Sequence, residues 1–139
     1  MIILDTNVLS ALMMPDLNSA VVAWLDKSPK ATVWTTAVNI FESRSGIGLL
    51  PEGRRRRNLN EKLDAFCDEL FPGRILPFDK LAAEYAAEVA AMHSKSGLNV
   101  GSRDTQIAGI ALANGASIAT RNTKDFDGLG IPLVNPWAI

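Results

Sequence analysis

The feature that most limits what this chain can fold into is an apolar run ending abruptly at a carboxylate. Ile2, Ile3 and Leu4 suit a strand buried on both faces, and Asp5-Thr6-Asn7 then leads into a helix-like segment. A doubly buried strand belongs in a parallel sheet covered by helices. Open sheets of that kind gather their ligands beyond the carboxyl ends of the strands.

The same alternation continues along the chain. Val8 to Met14 reads as a short helix interrupted at Pro15, and Asp16 to Asp26 as another, with Leu17, Val21, Trp24 and Leu25 on one face. Ala31 to Trp34 forms the second strand, and Thr35 or Thr36 caps the next helix, which carries Val38, Phe41 and Ile47. Pro51-Glu52-Gly53 breaks it, and Arg54 to Arg57 opens a helix continuing through Leu59, Leu63, Phe66 and Leu70. Arg74 to Pro77 gives a third strand. Ala82 to Ser96 is helical, with a stripe of Leu81, Tyr85, Val89 and Met92. Ser102 can cap a helix running to Ala113, Ser117 to Thr120 is the fourth strand, and Ile131 to Val134 a fifth at the edge. The expected fold is a three-layer α/β/α sandwich around a central, mostly parallel, five-stranded sheet, in a single domain over residues 1–139.

Composition narrows the function. Net charge is -1, so no global basic field announces nucleic acid, although a local patch can still grip phosphates. The single cysteine, Cys67, excludes an internal disulfide and reads as a buried thiol in a reducing compartment. No signal peptide and no membrane-length apolar stretch is evident, so the expected location is the cytoplasm.

Carboxylates recur where this sheet would bring them together. Asp5 follows the first strand, Glu42 lies two turns into the helix after the second, Asp104 opens the helix before the fourth, and Asn122 and Asp125 follow that strand. Taken singly, each has an ordinary use: Asp5 as a loop or cap residue, Asp104 against a helix dipole, Glu42 facing solvent. Taken together they repel, by on the order of 4 kcal/mol per pair at about 4 Å and an effective dielectric of about 20. Protonation or a cation must relieve that repulsion. With no histidine or cysteine cluster beside them, oxygen ligands suit Mg2+, with Mn2+ as a substitute, and such an ion suits phosphate chemistry. His93, alone among Ala90, Ala91 and Met92, reads as a surface or packing residue rather than a general base.

Four stretches resemble PIN domains, and more closely the VapC-type ribonuclease toxins of bacterial toxin–antitoxin pairs. They are Ile3-Leu4-Asp5-Thr6-Asn7-Val8, Thr36 to Glu42, Asp104-Thr105-Gln106-Ile107-Ala108 with Ile110-Ala111, and Ile118-Ala119-Thr120-Arg121-Asn122 with Asp125-Phe126. Their order spans the chain almost end to end. The resemblance implies metal-binding and catalytic roles for Asp5, Glu42 and Asp104. The family's fourth acidic position falls nearest Asn122, with Asp125 three residues on, so either is a candidate ligand. Thr6, Asn7 and Thr120 are candidates for holding a carboxylate or a metal-bound water. The implied activity is hydrolysis of RNA phosphodiesters by a homodimer neutralised by a VapB-like antitoxin.

Arg54, Arg55, Arg56 and Arg57 cannot share one helix face and sit badly at the positive end of a helix dipole. Neutralisation by Glu52, Glu61 and Asp64, RNA backbone and an acidic antitoxin segment are three equal readings. Arg44 and Arg121 are further phosphate contacts if the fold unites them. Met13, Met14, Trp24, Leu49, Leu50 and Trp137 are candidates for apolar partner surface. Three competing functions remain: a PIN-like module that binds RNA or protein without cutting, a DNA-processing nuclease, and a phosphatase with Asp5 as nucleophile. The third wants an acid at position 7, where this chain has Asn, and leaves Lys124 as its only late phosphate-binding lysine.

Overall fold

Side-chain alternation in the strands shows how the layers form. In the computed structural model, which describes residues 1–139, Ile3 and Leu4 are both fully buried but belong to different apolar clusters. Trp34 and Ile118 lie with Ile3, and Val33 and Ala119 with Leu4. A period of two thus divides each strand between two cores.

Five strands make one wholly parallel sheet: β1 (Ile2–Leu4), β2 (Val33–Thr36), β3 (Ile75–Leu76), β4 (Ser117–Ala119) and β5 (Leu133–Val134), in the order β3-β2-β1-β4-β5. Helices α1 (Thr6–Leu12) and α2 (Ser19–Asp26) supply the core around Leu4. The core around Ile3 comes mainly from α5 (Lys80–Lys95) and α6 (Ser102–Asn114). The helices α3 (Ala37–Gly48) and α4 (Arg54–Ala65) close a third, small cluster of Met13, Ile47 and Leu63. The α/β/α sandwich expected from the sequence is the fold.

Four local expectations are corrected. The second strand starts at Val33 and takes in Thr35 and Thr36, because Lys30–Thr32 is a 3-10 turn in which the Thr32 amide and hydroxyl both donate to the Pro29 carbonyl. Pro15–Leu17 is likewise a separate 3-10 turn, so the helix expected from Asp16 begins at Ser19. Gly101, not Ser102, is the N-cap of α6, and the Thr105 hydroxyl donates to the Gly101 carbonyl at 3.1 Å.

The fourth correction concerns α5. The large residues Leu81, Tyr85 and Met92 stay exposed, while Ala82, Ala86, Val89 and His93 face inward. Small residues win that face because α6 comes so close. A Cβ on Gly109 would press on the Ala82 carbonyl and lie 2.7 Å from the Ala86 Cβ. Packing at that distance excludes a larger side chain without a backbone shift. His93 is therefore a packing residue, as expected, and its Nδ1 is buried without a partner. Met13, a candidate for partner surface, is core, whereas Met14 and Leu49 are exposed. Cys67 is only partly buried, against the third cluster, and burial pushes its thiol up.

Candidate active site

The strand order reverses at β1: the chain moves outward to β2 and β3, then returns to place β4 on the other side of β1. Crevices at such reversals lie beyond the carboxyl ends of the strands. Asp5 stands there, 4% exposed, and its carboxylate is the best-held group in the crevice.

Four neutral donors converge on it. Oδ1 accepts from the Thr6 amide at 2.8 Å and from Asn39 Nδ2 at 3.1 Å. Oδ2 accepts from the Thr120 hydroxyl at 2.7 Å and from Asn7 Nδ2 at 3.4 Å. The first of these also caps α1, which explains why that helix begins at Thr6 rather than Val8. Burial raises the Asp5 carboxyl above its usual range, and the bonds from Thr120, Thr6 and Asn39 oppose the rise by favouring the charged form.

Each donor is itself fixed. The Thr36 hydroxyl donates to Asn39 Oδ1 at 2.6 Å and accepts from the Asn39 amide at 3.1 Å. This turns the Asn39 NH2 toward Asp5 and toward Thr6 Oγ1, 3.0 Å away. Thr6 in turn donates to Glu42 Oε1 at 3.0 Å. On the other side, Thr120 Oγ1 accepts from Asn7 Nδ2 and from the Asn122 amide, and Asn7 Oδ1 accepts from the Arg121 amide at 3.2 Å. Thr6, Asn7 and Thr120 thus contact Asp5 directly, and Thr6 links it to Glu42.

Asp104, in the first turn of α6, has a different environment. Its carboxyl is pushed up to about 7, first by burial, then by the negative charges of Asp5, Asp125 and Glu42 and by hydrogen bonding with Asp125. Burial also raises the Glu42 carboxyl, opposed by the Thr6 hydroxyl and weakly by Arg103. The four acids named from the sequence therefore share one electrostatic neighbourhood. Asp125 stands beside Asp104, while the Asn122 side chain is exposed and only its amide enters the network.

The donor set is oxygen only and mutually repulsive, which fits a hard dication such as Mg2+ or Mn2+. No three of these groups form a ready coordination group as placed. Asp5 is locked, and Glu42, Asp104 and Asp125 are only partly buried.

The arginines divide. Arg44 is committed to α4, bonding Asn60 Oδ1 at 2.8 Å and pairing with Asp64, and Arg121 lies over the Trp137 ring at 4.4 Å. They are held by different parts of the molecule. None of Arg54, Arg55, Arg56 and Arg57 forms an ion pair, so of the three readings given them, neutralisation by Glu52, Glu61 and Asp64 has no pairing behind it. Two further residues take roles that the sequence does not assign them. Asn39 was visible only as a polar residue in an apolar helical stretch. Arg103, beside Asp104, lies 4.9 Å over the Phe41 ring with Nη1 4.0 Å from Glu42 Oε2, and nothing in the sequence joins it to them.

A five-stranded parallel sandwich with acids gathered at its switch point defines the class: the chain belongs to the PIN domain family, whose model matches residues 2–131. Within that family its likeness is to toxin chains. It is 39% identical over 137 residues to the plasmid stability protein StbB of Pseudomonas syringae pv. tomato, covering 99% of each chain. It is 37% identical over 137 residues to the VapC ribonuclease Y4jK of Sinorhizobium fredii, covering 99% of this chain and 98% of that one. Its fold superposes on the crystal structure of FitAcB from Neisseria gonorrhoeae with a TM-score of 0.90, 37% identity and full coverage of both chains. No helix is long and apolar enough to cross a membrane.

Proposed function

We propose that this protein is a divalent-metal-dependent endoribonuclease toxin, neutralised by a cognate antitoxin and acting as a homodimer. The observation that carries the reading is the pairing of a carboxylate locked by four neutral donors, Asp5, with one crowded by other acids, Asp104. A scaffold that tolerates such repulsion is arranged for a cation. Asp5, Glu42, Asp104 and Asp125 would hold it, and Asn122 is the weaker candidate. When bound, the ion supplies charge stabilisation at phosphorus and a more acidic water.

The chain's own residues do the rest. Thr6, Asn7, Asn39 and Thr120 fix the direction of the Asp5 oxygens, and Thr6 positions Glu42. Arg103, loosely paired and half-exposed, has guanidinium donors free for a phosphodiester oxygen. The likeness to a VapC ribonuclease and to FitAcB supports the RNA substrate and the antitoxin. The exposed Leu81, Tyr85 and Met92 of α5 offer apolar surface for a second copy.

The test uses chain purified free of antitoxin, incubated with structured RNA in Mg2+, Mn2+ or chelator. Cleavage requires metal and disappears in Asp5→Asn with folding retained. Full cleavage by that variant would overturn the mechanism. The lack of a ready coordination group favours one second reading, a module that binds RNA or protein without cutting. Silence under every metal condition would select it. The phosphatase reading loses its acid, because the residue at position 7 is an amide donating to Asp5 and Thr120.

A further inference from the structure

Arg103 stands where its own helix disfavours it. It is the second residue of α6, at the end where the helix dipole is positive, and the Gly101 cap brings no side chain to offset it. What holds it lies on α3. Its guanidinium carbon sits 4.9 Å from the centre of the Phe41 ring, and Nη1 is 4.0 Å from Glu42 Oε2. Phe41 is 57% exposed and belongs to none of the three apolar clusters, so core burial does not account for a ring at that position. Together the two contacts make Arg103 a strap across the crevice, from the helix that carries Asp104 to the helix that carries Glu42.

The contacts differ in permanence. The Glu42 pair is at the limit of ion-pair distance with the arginine 48% exposed, and pairs of that kind contribute little. It is nonetheless the one ion pair made by any acid of the crevice. Glu42 Oε1 is engaged by the Thr6 hydroxyl, so a cation approaching Oε2 competes with Arg103 for it. The Phe41 stack, by contrast, uses the guanidinium face and leaves its N–H edge free to donate. A guanidinium released by Glu42 keeps its place over the ring, with planar donors suited to a phosphate.

We propose that Arg103 is a positioning residue that couples the ion to the RNA: it balances Glu42 in the metal-free chain and, once an ion occupies Glu42, turns to an RNA phosphate. The assignment rests on the ribonuclease reading. It gives Arg103 opposite effects on the two ligands. Without RNA it competes with the ion, and with RNA the two act together, so that each ligand tightens the other. Arg121, the other stacked arginine, lies over Trp137 with no acid at ion-pair distance, which makes it the uncoupled comparison.

The test reads binding rather than cleavage. Fluorescein-labelled hexauridylate is titrated into the full chain, purified free of antitoxin, in chelator and in saturating Ca2+. A gel checks that the hexamer stays intact, calorimetry gives the Ca2+ affinity without RNA, and melting curves check folding. Arg103→Met tightens Ca2+ about 3-fold or more, because a repelling charge and a competitor for Glu42 are both gone. In Ca2+ it weakens hexamer binding and lowers the salt slope by about one phosphate contact. The gain in hexamer affinity that Ca2+ brings is smaller than in the unaltered chain by about 5-fold or more. Phe41→Leu keeps the charge, loses the ring and shrinks that gain partway. Arg121→Met weakens the hexamer equally with and without Ca2+.

An equal Ca2+-dependent gain in Arg103→Met and the unaltered chain overturns the coupling, as does a loss of the gain in Arg121→Met just as large. Weaker Ca2+ binding by Arg103→Met with a lower melting temperature also overturns it, being the mark of a mere brace between α3 and α6. A hexamer that binds in neither condition does the same. Failure of the ribonuclease reading looks different: the coupling is present, yet the unaltered chain cuts no RNA with Mg2+ or Mn2+. In that case the role of Arg103 stands and cleavage falls.

Discussion

Asp5 and Asp104 lie in one crevice and are held by opposite means. Asp5 is surrounded by neutral donors that favour its charge, with both oxygens directed before any ligand arrives. Asp104 has three other carboxylates for neighbours and keeps its proton up to about 7. The first is preorganised and the second is frustrated. An ion site needs both characters, a fixed anchor to set position and unrelieved charge to supply affinity.

The contrast predicts the largest effects. Asn in place of either acid should reduce RNA cleavage by more than the roughly 10–100-fold typical of losing an outer partner. Stability should separate the two variants. Asp5→Asn turns an acceptor pair into a mixed group facing four donors and should cost about 1–3 kcal/mol in denaturant titrations. Asp104→Asn removes a repelled charge and should raise the melting temperature of metal-free protein above about pH 7. Equal destabilisation by both would erase the distinction.

Next in size is Thr120→Val, which keeps the strand-compatible shape but removes the donor to Asp5 Oδ2 and the acceptor for Asn7 and the Asn122 amide. Metal affinity, read by isothermal titration, should fall about 10–100-fold. Thr120→Ser should restore most of it. Recovery with valine alone would show that these hydrogen bonds do not orient the carboxylate.

The smallest effect is on pH. Because the folded-state value of Asp104 lies above its ordinary 3.8, its contribution to stability is fully present below about pH 4 and lost as pH rises through about 7. Burial displaces Asp5 and Glu42 in the same direction. Metal-free protein should therefore melt a few degrees lower at about pH 8 than at about pH 5, an effect moderated by solvent around these partly exposed groups. Saturating Mg2+ should shrink the difference, and Asp104→Asn should remove most of it.

What could be read in advance followed from chemistry tied to chain position. Asp5 was legible because a parallel sheet fixes where its strand ends go and an acid closing an apolar run stands out, while Glu42 and Asp104 lie on helices that the same strand pattern places near that edge. The hub residue was not. Asn39 reaches Asp5 across 34 positions, and an amide in a helix carries no sign of which distant carboxylate it serves. The α5 face was misread for a related reason. Its large residues looked like core, but the approach of Gly109 to Ala82 and Ala86 is a tertiary distance that helical period alone does not encode. The start of β2 shifted because Pro29 and Thr32 close a local turn that competes with the ladder.

The reversal of strand order at β1 has a consequence for how the protein is made. Asp5 leaves the ribosome well before Thr120, which fixes its Oδ2 and is 115 positions behind it. Asp104 and Asp125 also come late, and β1 lacks its β4 neighbour until Ser117–Ala119 has emerged. Long-range closure of this kind is slow and comes only after most of the chain exists. A nascent chain therefore carries the parts of the acidic crevice without the crevice. Closure of the crevice therefore waits on the pairing of β4 with β1 and on the turn that carries Asp125.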